Sequence, residues 1–109
     1  MATGRLGTAN ITTNANTTCY TVPATTFSVV SVNIVNRSSS TVAQVRIAVA
    51  SAATPTTDEW IEFDSSIVAN GVLERTGIVM DAGKLIVVNS QTASPALSVV
   101  VYGIETSTA

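Results

Sequence analysis

Four carboxylates lie in one short segment and are the side chains best suited to acid–base or metal chemistry: Asp58, Glu59, Glu62 and Asp64. On an extended strand Glu62 and Asp64 share a face, about 7 Å apart along the chain. Two carboxylates at that spacing can flank a glycosidic bond or ligate Ca²⁺. The same charges also suit a solvated edge strand, where they block pairing with another chain. We expect this last role, because the segment lacks the glycine-centred loop typical of calcium sites.

The single tryptophan, Trp60, is the second candidate for a site. A strand over residues 58–63 would place Trp60 and Glu62 on one side and Ile61 and Phe63 on the other. An exposed indole beside carboxylates can stack on a sugar ring, which makes a carbohydrate-binding module one hypothesis. A role in the core or in an interface is the commoner one for such an aromatic residue.

Other catalytic groups are missing from the sequence. There is no histidine, so the commonest general base and metal ligand is absent. No nucleophile-elbow or glycine-rich phosphate motif occurs. We therefore expect no enzyme activity, no catalytic residues, no cofactor and no metal. The one cysteine, Cys19, has no partner for an intramolecular disulfide and is expected to be a small buried hydrophobe.

The composition predicts an all-β protein. The 109 residues include 16 Val, 8 Ile and 17 Thr, whose branched side chains suit a pleated sheet. Only 11% of the residues are charged, less than half the usual share. With 5 basic and 7 acidic side chains there is no basic stripe for nucleic acid.

The pattern of short apolar runs and turns predicts one antiparallel β-sandwich or jelly-roll-like domain of seven or eight strands. We expect an N-terminal arm or edge strand over residues 1–16, the sandwich over 17–105 and a frayed tail over 106–109. The predicted strands of the sandwich are 17–22, 27–36, 42–50, 58–63, 72–80, 84–90 and 96–105. The segment 27–36 is apolar on both faces, which predicts a central strand covered on two sides.

A surface poor in charge favours extended contact with other proteins, because the centres of interfaces are depleted in charged residues. We therefore expect a homo-oligomer or a component of a larger lattice. An arm over residues 1–16, with accessible backbone at Gly4 and Gly7, can add as a strand to a neighbour. Arg75 and Glu74 are adjacent on a strand and point to opposite faces, so each should meet a residue elsewhere. The predicted interface residues are Arg5, Leu6, Ile11, Arg37, Arg46, Trp60 and Arg75.

Three segments, taken in order, resemble small virion structural proteins of tailed bacteriophages, notably those infecting cyanobacteria. The first is YTVPA at residues 20–24. The second is VNIVNR at 32–37, followed by a Ser/Thr loop and VRIA at 45–48. The third is IVANGVLERTGI at 67–78, which leads to VYGIE at 101–105. The resemblance implies a β-sandwich that decorates or cements a virion, and it implies no catalytic residues.

The leading functional hypothesis is a capsid decoration or cement subunit that binds the outer capsid and stabilises it through protein–protein contacts. Its partners would be the major capsid protein or another virion protein, and copies of itself. A neck, tail or fibre-base component is the first alternative, and a carbohydrate-binding sandwich is the second. The sequence shows no secretory signal and no apolar segment long enough for a membrane span. We therefore expect the protein to be made in a host cytoplasm and located in the virion, with no membrane partner.

Overall fold

The structure is a computed structural model that describes residues 2–108. It contains eight β-strands and one turn of 3₁₀ helix, Thr57–Glu59. The all-β class predicted from the sequence is confirmed. The strands are β1 (Thr3–Ile11), β2 (Thr17–Thr21), β3 (Thr26–Asn36), β4 (Ala43–Ala50), β5 (Trp60–Ile67), β6 (Val72–Met80), β7 (Leu85–Ser90) and β8 (Leu97–Ser107).

The strands form two four-stranded sheets. Sheet A has the order β1-β8-β3-β6, and sheet B has the order β2-β7-β4-β5. Every pair of neighbouring strands is antiparallel. The two sheets pack face to face, which confirms the predicted β-sandwich.

The core lies between the sheets and is built from alternate residues of the strands. On β3, Val30, Val32 and Ile34 point inward and are buried, while the residues between them are half-exposed. Val45 and Ile47 of β4 come from the opposite sheet and are also buried. Branched aliphatic side chains at every second position thus form a continuous apolar layer, as expected for a strand with one face turned to the core.

The N-terminal segment is an edge strand of sheet A. β1 pairs with β8 from Thr3 to Ile11, with one bulge near Leu6. Gly7 lets β1 pass close to sheet B, because a Cβ at this position would lie 2.1 Å from the carbonyl oxygen of Cys19. Of the two alternatives for residues 1–16, the structure has the strand, and Met1 lies outside the described residues.

The C-terminal tail is more ordered than the sequence suggests. β8 continues to Ser107, which pairs with Thr26 at the start of β3. The Thr108 amide then donates to the carbonyl of Thr25, 2.9 Å away. The expectation of a frayed tail is therefore wrong for residues 106–108, because this long strand is paired along its length. Ala109 lies outside the described residues.

Strand β3 is central in sheet A, as predicted, but it is covered on one side only. Sheet B packs on its inner face, and within residues 2–108 no third layer packs on its outer face. The predicted coverage on two sides is wrong. The apolar residues on the outer face of β3 therefore belong to the surface of this chain.

Strand β5 begins later than predicted and is irregular. Asp58 and Glu59 lie in the 3₁₀ turn, and the strand starts at Trp60. The register between β4 and β5 shifts twice, and Asp64 has a φ of 55°. Each extra residue reverses the faces of the residues beyond it. The predicted alternation is therefore wrong, and Trp60 comes into contact with Phe63.

Candidate functional site

Most of the exposed large apolar side chains in residues 2–108 lie on the outer face of sheet A, namely Phe27, Val72, Val79, Tyr102 and Ile104. This face is defined by the outward-facing side chains of the four paired strands, whose cross-strand register aligns them in rows. These are Thr3, Arg5, Thr8 and Asn10 of β1, Ser98, Val100, Tyr102, Ile104 and Thr106 of β8, Phe27, Val29, Ser31, Asn33 and Val35 of β3, and Val72, Glu74 and Val79 of β6.

One row of this face is almost entirely aliphatic. Val29 of β3 pairs with Ile104 of β8 on one side and with Val79 of β6 on the other. Val79 is 70% exposed and Ile104 is 47% exposed, and Phe27 lies next to them on β3. Large apolar side chains grouped on a flat surface are typical of sites that bind another protein.

The four strands carry two charged residues on this face, at its opposite edges, and Arg37, which directly follows β3, donates to the Asn10 side chain at one end of the face. Arg5 lies on β1 and Glu74 on β6, with β8 and β3 between them. The hydroxyl of Tyr102 donates a hydrogen bond to the Glu74 carboxylate, and this bond raises the pKa of the phenol. The Arg5 side chain makes no hydrogen bond or ion pair within residues 2–108. The centre of the face is thus uncharged.

A smaller group of side chains lies on sheet B around Phe63. The ring of Phe63 is 57% exposed and packs edge-on against Trp60, with 6.0 Å between the ring centres. The Arg46 guanidinium lies 3.8 Å from the centre of the Phe63 ring and forms an ion pair with Asp64 at 2.7 Å. The geometry is that of a cation–π contact. Trp60 also covers the small buried group of Ala48, Ala50 and Val87.

The four carboxylates of the acidic segment do not converge. The first two bind the adjacent loop: the Asp58 carboxylate accepts a hydrogen bond from the Thr56 hydroxyl, and Glu59 accepts hydrogen bonds from the backbone amides of Ser51 and Thr56.

Glu62 pairs with Arg75 of sheet A, whereas Asp64 pairs with Arg46 of sheet B. The prediction that Glu62 and Asp64 share a face is therefore wrong, because the bulged strand separates them. Within residues 2–108 no three of the Cys, Asp and Glu side chains form a group able to hold a metal ion.

The pKa of both carboxyl groups is lowered. For Glu62 the main cause is the hydrogen bond from Ser65, followed by the bond and charge of Arg75. For Asp64 the cause is the hydrogen bond and charge of Arg46. Neither carboxyl has the raised pKa that a general acid needs at neutral pH.

The residues predicted for an interface lie in several different places. Ile11 is 1% exposed and lies in the core, so it cannot form part of a surface. Leu6 is half-buried and packs on the same core. Arg37 donates to the side chain of Asn10, and Arg75 donates to Glu62 and to the carbonyl of Ile61.

Arg37 is exposed, and the remaining three predicted residues also lie at the surface. Arg46 and Trp60 belong to the group around Phe63, and Arg5 lies at the edge of the outer face of sheet A. The adjacent residues Glu74 and Arg75 do meet different partners, as their positions on one strand predicted.

Sequence reasoning missed most of the outer face of sheet A. The available signal was the second apolar set on β3, at Phe27, Val29 and Val35, together with Tyr102 and Ile104 on the last strand. Such a pattern fits both a strand buried on two sides and a strand with an exposed apolar face. Periodicity does not distinguish the two.

Cys19 is buried beside β7, as expected for a small hydrophobe. Burial raises the pKa of its thiol to about 12. The thiol therefore stays protonated at neutral pH, and the reactive thiolate form is suppressed.

Comparison of the chain with protein-family models, with curated proteins and with solved structures finds no match. Among the described residues, no helix has the length and apolar character needed to cross a membrane.

Proposed function

We propose that this chain is a virion structural protein of the tailed-phage type, in the role of a capsid decoration or cement subunit. In this role it binds the outer capsid and stabilises it through protein–protein contacts, without catalysis. Its partners are the major capsid protein or another virion protein, and copies of itself. The protein is located in the virion.

The observation that carries this proposal is the outer face of sheet A. This face is uncharged at its centre, and it exposes Val79, Ile104, Val72 and Phe27. Leaving such side chains in water costs about 25 cal/mol for each Å² of apolar surface, and contact with another protein recovers that free energy. The face therefore favours a function based on assembly.

The position in the particle is tested by counting copies. Quantitative mass spectrometry of purified virus particles from the source of the chain measures its number relative to the major capsid protein. A decoration subunit is expected at hundreds of copies per particle. A handful or a few dozen copies would favour the neck, tail or fibre base instead, and absence from particles would overturn the proposal.

Carbohydrate binding is a second candidate, favoured by the group around Phe63. An exposed ring next to Trp60, with Arg46 and Asp64 beside it, offers both a stacking surface and hydrogen-bonding groups. Binding of the wild-type chain to a glycan array, lost in Phe63→Ala and kept in Val79→Ala, would support this candidate. Failure of the wild type to bind any glycan would exclude it.

A further inference from the structure

We infer that the outer face of sheet A is covered by the same face of a second copy, related by a twofold axis parallel to the strands. This inference rests on the proposed function, since it names the partner on the face that carries the proposal. Four features of the face lead to it: its area, the positions of Arg5 and Glu74, the alignment of its apolar rows, and the exposure of sheet B that remains after pairing.

The size of the face suits a stable dimer. Four strands about 4.8 Å apart, each of 9 or more residues at about 3.3 Å per residue, give a flat area of roughly 600 Å². A standard interface buries about 800 Å² of accessible surface on each partner. Because accessible surface exceeds the flat projection, one face of sheet A is large enough for an interface of this class.

The charges define which twofold axis is favourable. Arg5 and Glu74 lie on the two outermost strands, and along the strand direction they are one row apart, which is about 7 Å. A twofold axis parallel to the strands places β1 of one copy above β6 of the other. Arg5 of each copy then lies within reach of Glu74 of the second copy, so the symmetric pair forms two such contacts.

The alternative axis, across the strands, is unfavourable. It places β1 of one copy above β1 of the other, and β6 above β6. The two Arg5 side chains then lie along one edge of the dimer and the two Glu74 side chains along the other, so that each edge brings like charges together. Complementary charges fix the register of an interface, because an arrangement that brings like charges together has a less favourable free energy of binding.

The apolar rows are self-complementary about the favourable axis. Because β8 and β3 occupy the middle of the sheet, β8 of one copy lies above β3 of the other. Ile104 then packs on Val29 of the second copy, and Val79 packs beside Thr3 at the edge. The aliphatic row of one copy thus packs on the aliphatic row of the other, and Tyr102 of one copy lies above Ser31 of the other.

Pairing through sheet A leaves sheet B of each copy directed away from the interface. The two groups around Phe63, one in each copy, are then displayed on opposite sides of the dimer. A dimer of this kind has two equivalent surfaces, one on each copy.

The mass of the chain in solution tests the inference. Sedimentation equilibrium of the wild type is expected to give twice the chain mass of 11.2 kDa. Arg5→Glu and Glu74→Arg should each raise the dimer dissociation constant by about tenfold, since each places like charges in two symmetric contacts. The double variant R5E/E74R should restore most of the affinity, because the opposite charges face each other again.

Two controls separate dimerisation from folding. Lys84→Glu reverses a charge just before β7, away from the face, and should leave the dissociation constant unchanged. Val79→Lys alters an exposed side chain in the aliphatic row and should yield a folded monomer by circular dichroism. A wild type that is monomeric at millimolar concentration, or a double variant no tighter than the single ones, would overturn the inference.

The same measurements distinguish this inference from the proposed function. A monomeric chain that is still incorporated into particles would overturn the twofold pairing and leave the virion role standing. A dimer that is absent from particles would leave the pairing standing and overturn the virion role.

Discussion

The hydroxyl of Tyr102 on β8 donates a hydrogen bond to the carboxylate of Glu74 on β6, although β3 lies between these two strands. The phenol ring therefore spans the central strand on the outer face of sheet A. This contact gives the Glu74 carboxylate a hydrogen-bond partner and keeps the ring on the outer surface of the sheet. An interface built on sheet A would thus bury the Glu74 carboxylate with one hydrogen-bond partner already in place.

The two tyrosines are expected to ionise above their ordinary range. Burial and the hydrogen bond to Glu105 raise the pKa of Tyr20 to about 12, and the bond to Glu74 raises the pKa of Tyr102. Both shifts favour the neutral phenol in the folded state. Their contribution to stability is present below the ordinary phenol pKa of about 10 and is lost as the pH rises through the raised values.

Absorbance at 295 nm during an alkaline titration measures these phenols directly. The folded wild type should show little phenolate at pH 10, and Tyr102→Phe should leave one phenol that titrates near 12. Half-ionisation of the two phenols at pH 10 in the folded protein would contradict this prediction.

Gly103→Ala should destabilise the fold strongly. A Cβ at this position would lie 2.0 Å from the carbonyl oxygen of Val29, so β8 and β3 would have to separate where they pair. We expect a loss of about 3 kcal/mol in the free energy of unfolding, at the upper end of overpacking costs. Urea unfolding measures the change.

Gly77→Ala is the matched control for that experiment. Gly77 has a positive φ of 70° and no atom within 4 Å of a built Cβ, so only backbone strain is added. That strain should cost about 1 kcal/mol. Equal losses in the two variants would show that the close approach of β8 to β3 is not what Gly103 provides.

The Glu62–Arg75 ion pair links the edge strands β5 and β6 of the two sheets. Arg75→Gln should lower the free energy of unfolding at pH 7 by about 1 kcal/mol, because it removes a charged hydrogen bond to a half-buried carboxylate. The pKa of Glu62 is lowered in the folded state by Ser65 and Arg75. Its stabilising effect is therefore present above the ordinary carboxyl pKa of about 4.3 and is lost as the pH falls through the lowered value.

Urea unfolding of the wild type and of Arg75→Gln between pH 7 and pH 2 measures how this stabilisation changes with pH. The difference between the two proteins should shrink as Glu62 becomes protonated. Lys84→Gln, which removes the exposed pair with Asp81, should behave like the wild type at every pH. A difference for Arg75→Gln that does not change with pH would rule out the ion pair as its cause.

Asn36→Ala should loosen one end of the sandwich. The buried Asn36 amide donates to the carbonyl oxygens of Thr41, Ile67 and Val68, and its side-chain oxygen accepts from the Ser38 amide. Truncation leaves these groups without their partner, which should cost about 2 kcal/mol in the free energy of unfolding.

Asn33→Ala is the control, since Asn33 faces outward on the same strand and is half-exposed. Thermal unfolding should show a clear loss for the first variant and almost none for the second. Equal melting temperatures for Asn36→Ala and the wild type would contradict the role assigned to this amide.

The strands could be predicted from the sequence because branched aliphatic residues alternate along them. Segment 27–36, for example, coincides with β3 almost residue for residue. Strand β5 was predicted less well, because its two bulges and the positive φ of Asp64 have no periodic signal. The faces of Trp60 and Phe63 depend on those bulges, so their contact could not be foreseen.

The partners of the charged residues depend on which strands lie at the edge of a sheet, and on which edge strands of the two sheets lie next to each other. Arg75 reaches Glu62 because β6 and β5 are edge strands of different sheets that lie together. That relationship connects distant parts of the chain and is invisible in local patterns. The exposed outer face was missed for a similar reason, because the apolar pattern of β3 does not indicate whether one or two layers pack against the strand.

The central claim is that the outer face of sheet A is the surface through which this chain assembles, and the copy number of Val79→Lys in purified particles tests it most directly. Val79 is 70% exposed, so the variant should fold and melt like the wild type. Val42→Lys, at an exposed valine outside the face, is the matched control and should be incorporated normally. We predict that Val79→Lys falls to less than about a tenth of the wild-type copy number, since a charge is buried without a partner on assembly. Incorporation of folded Val79→Lys at the wild-type level would contradict the account.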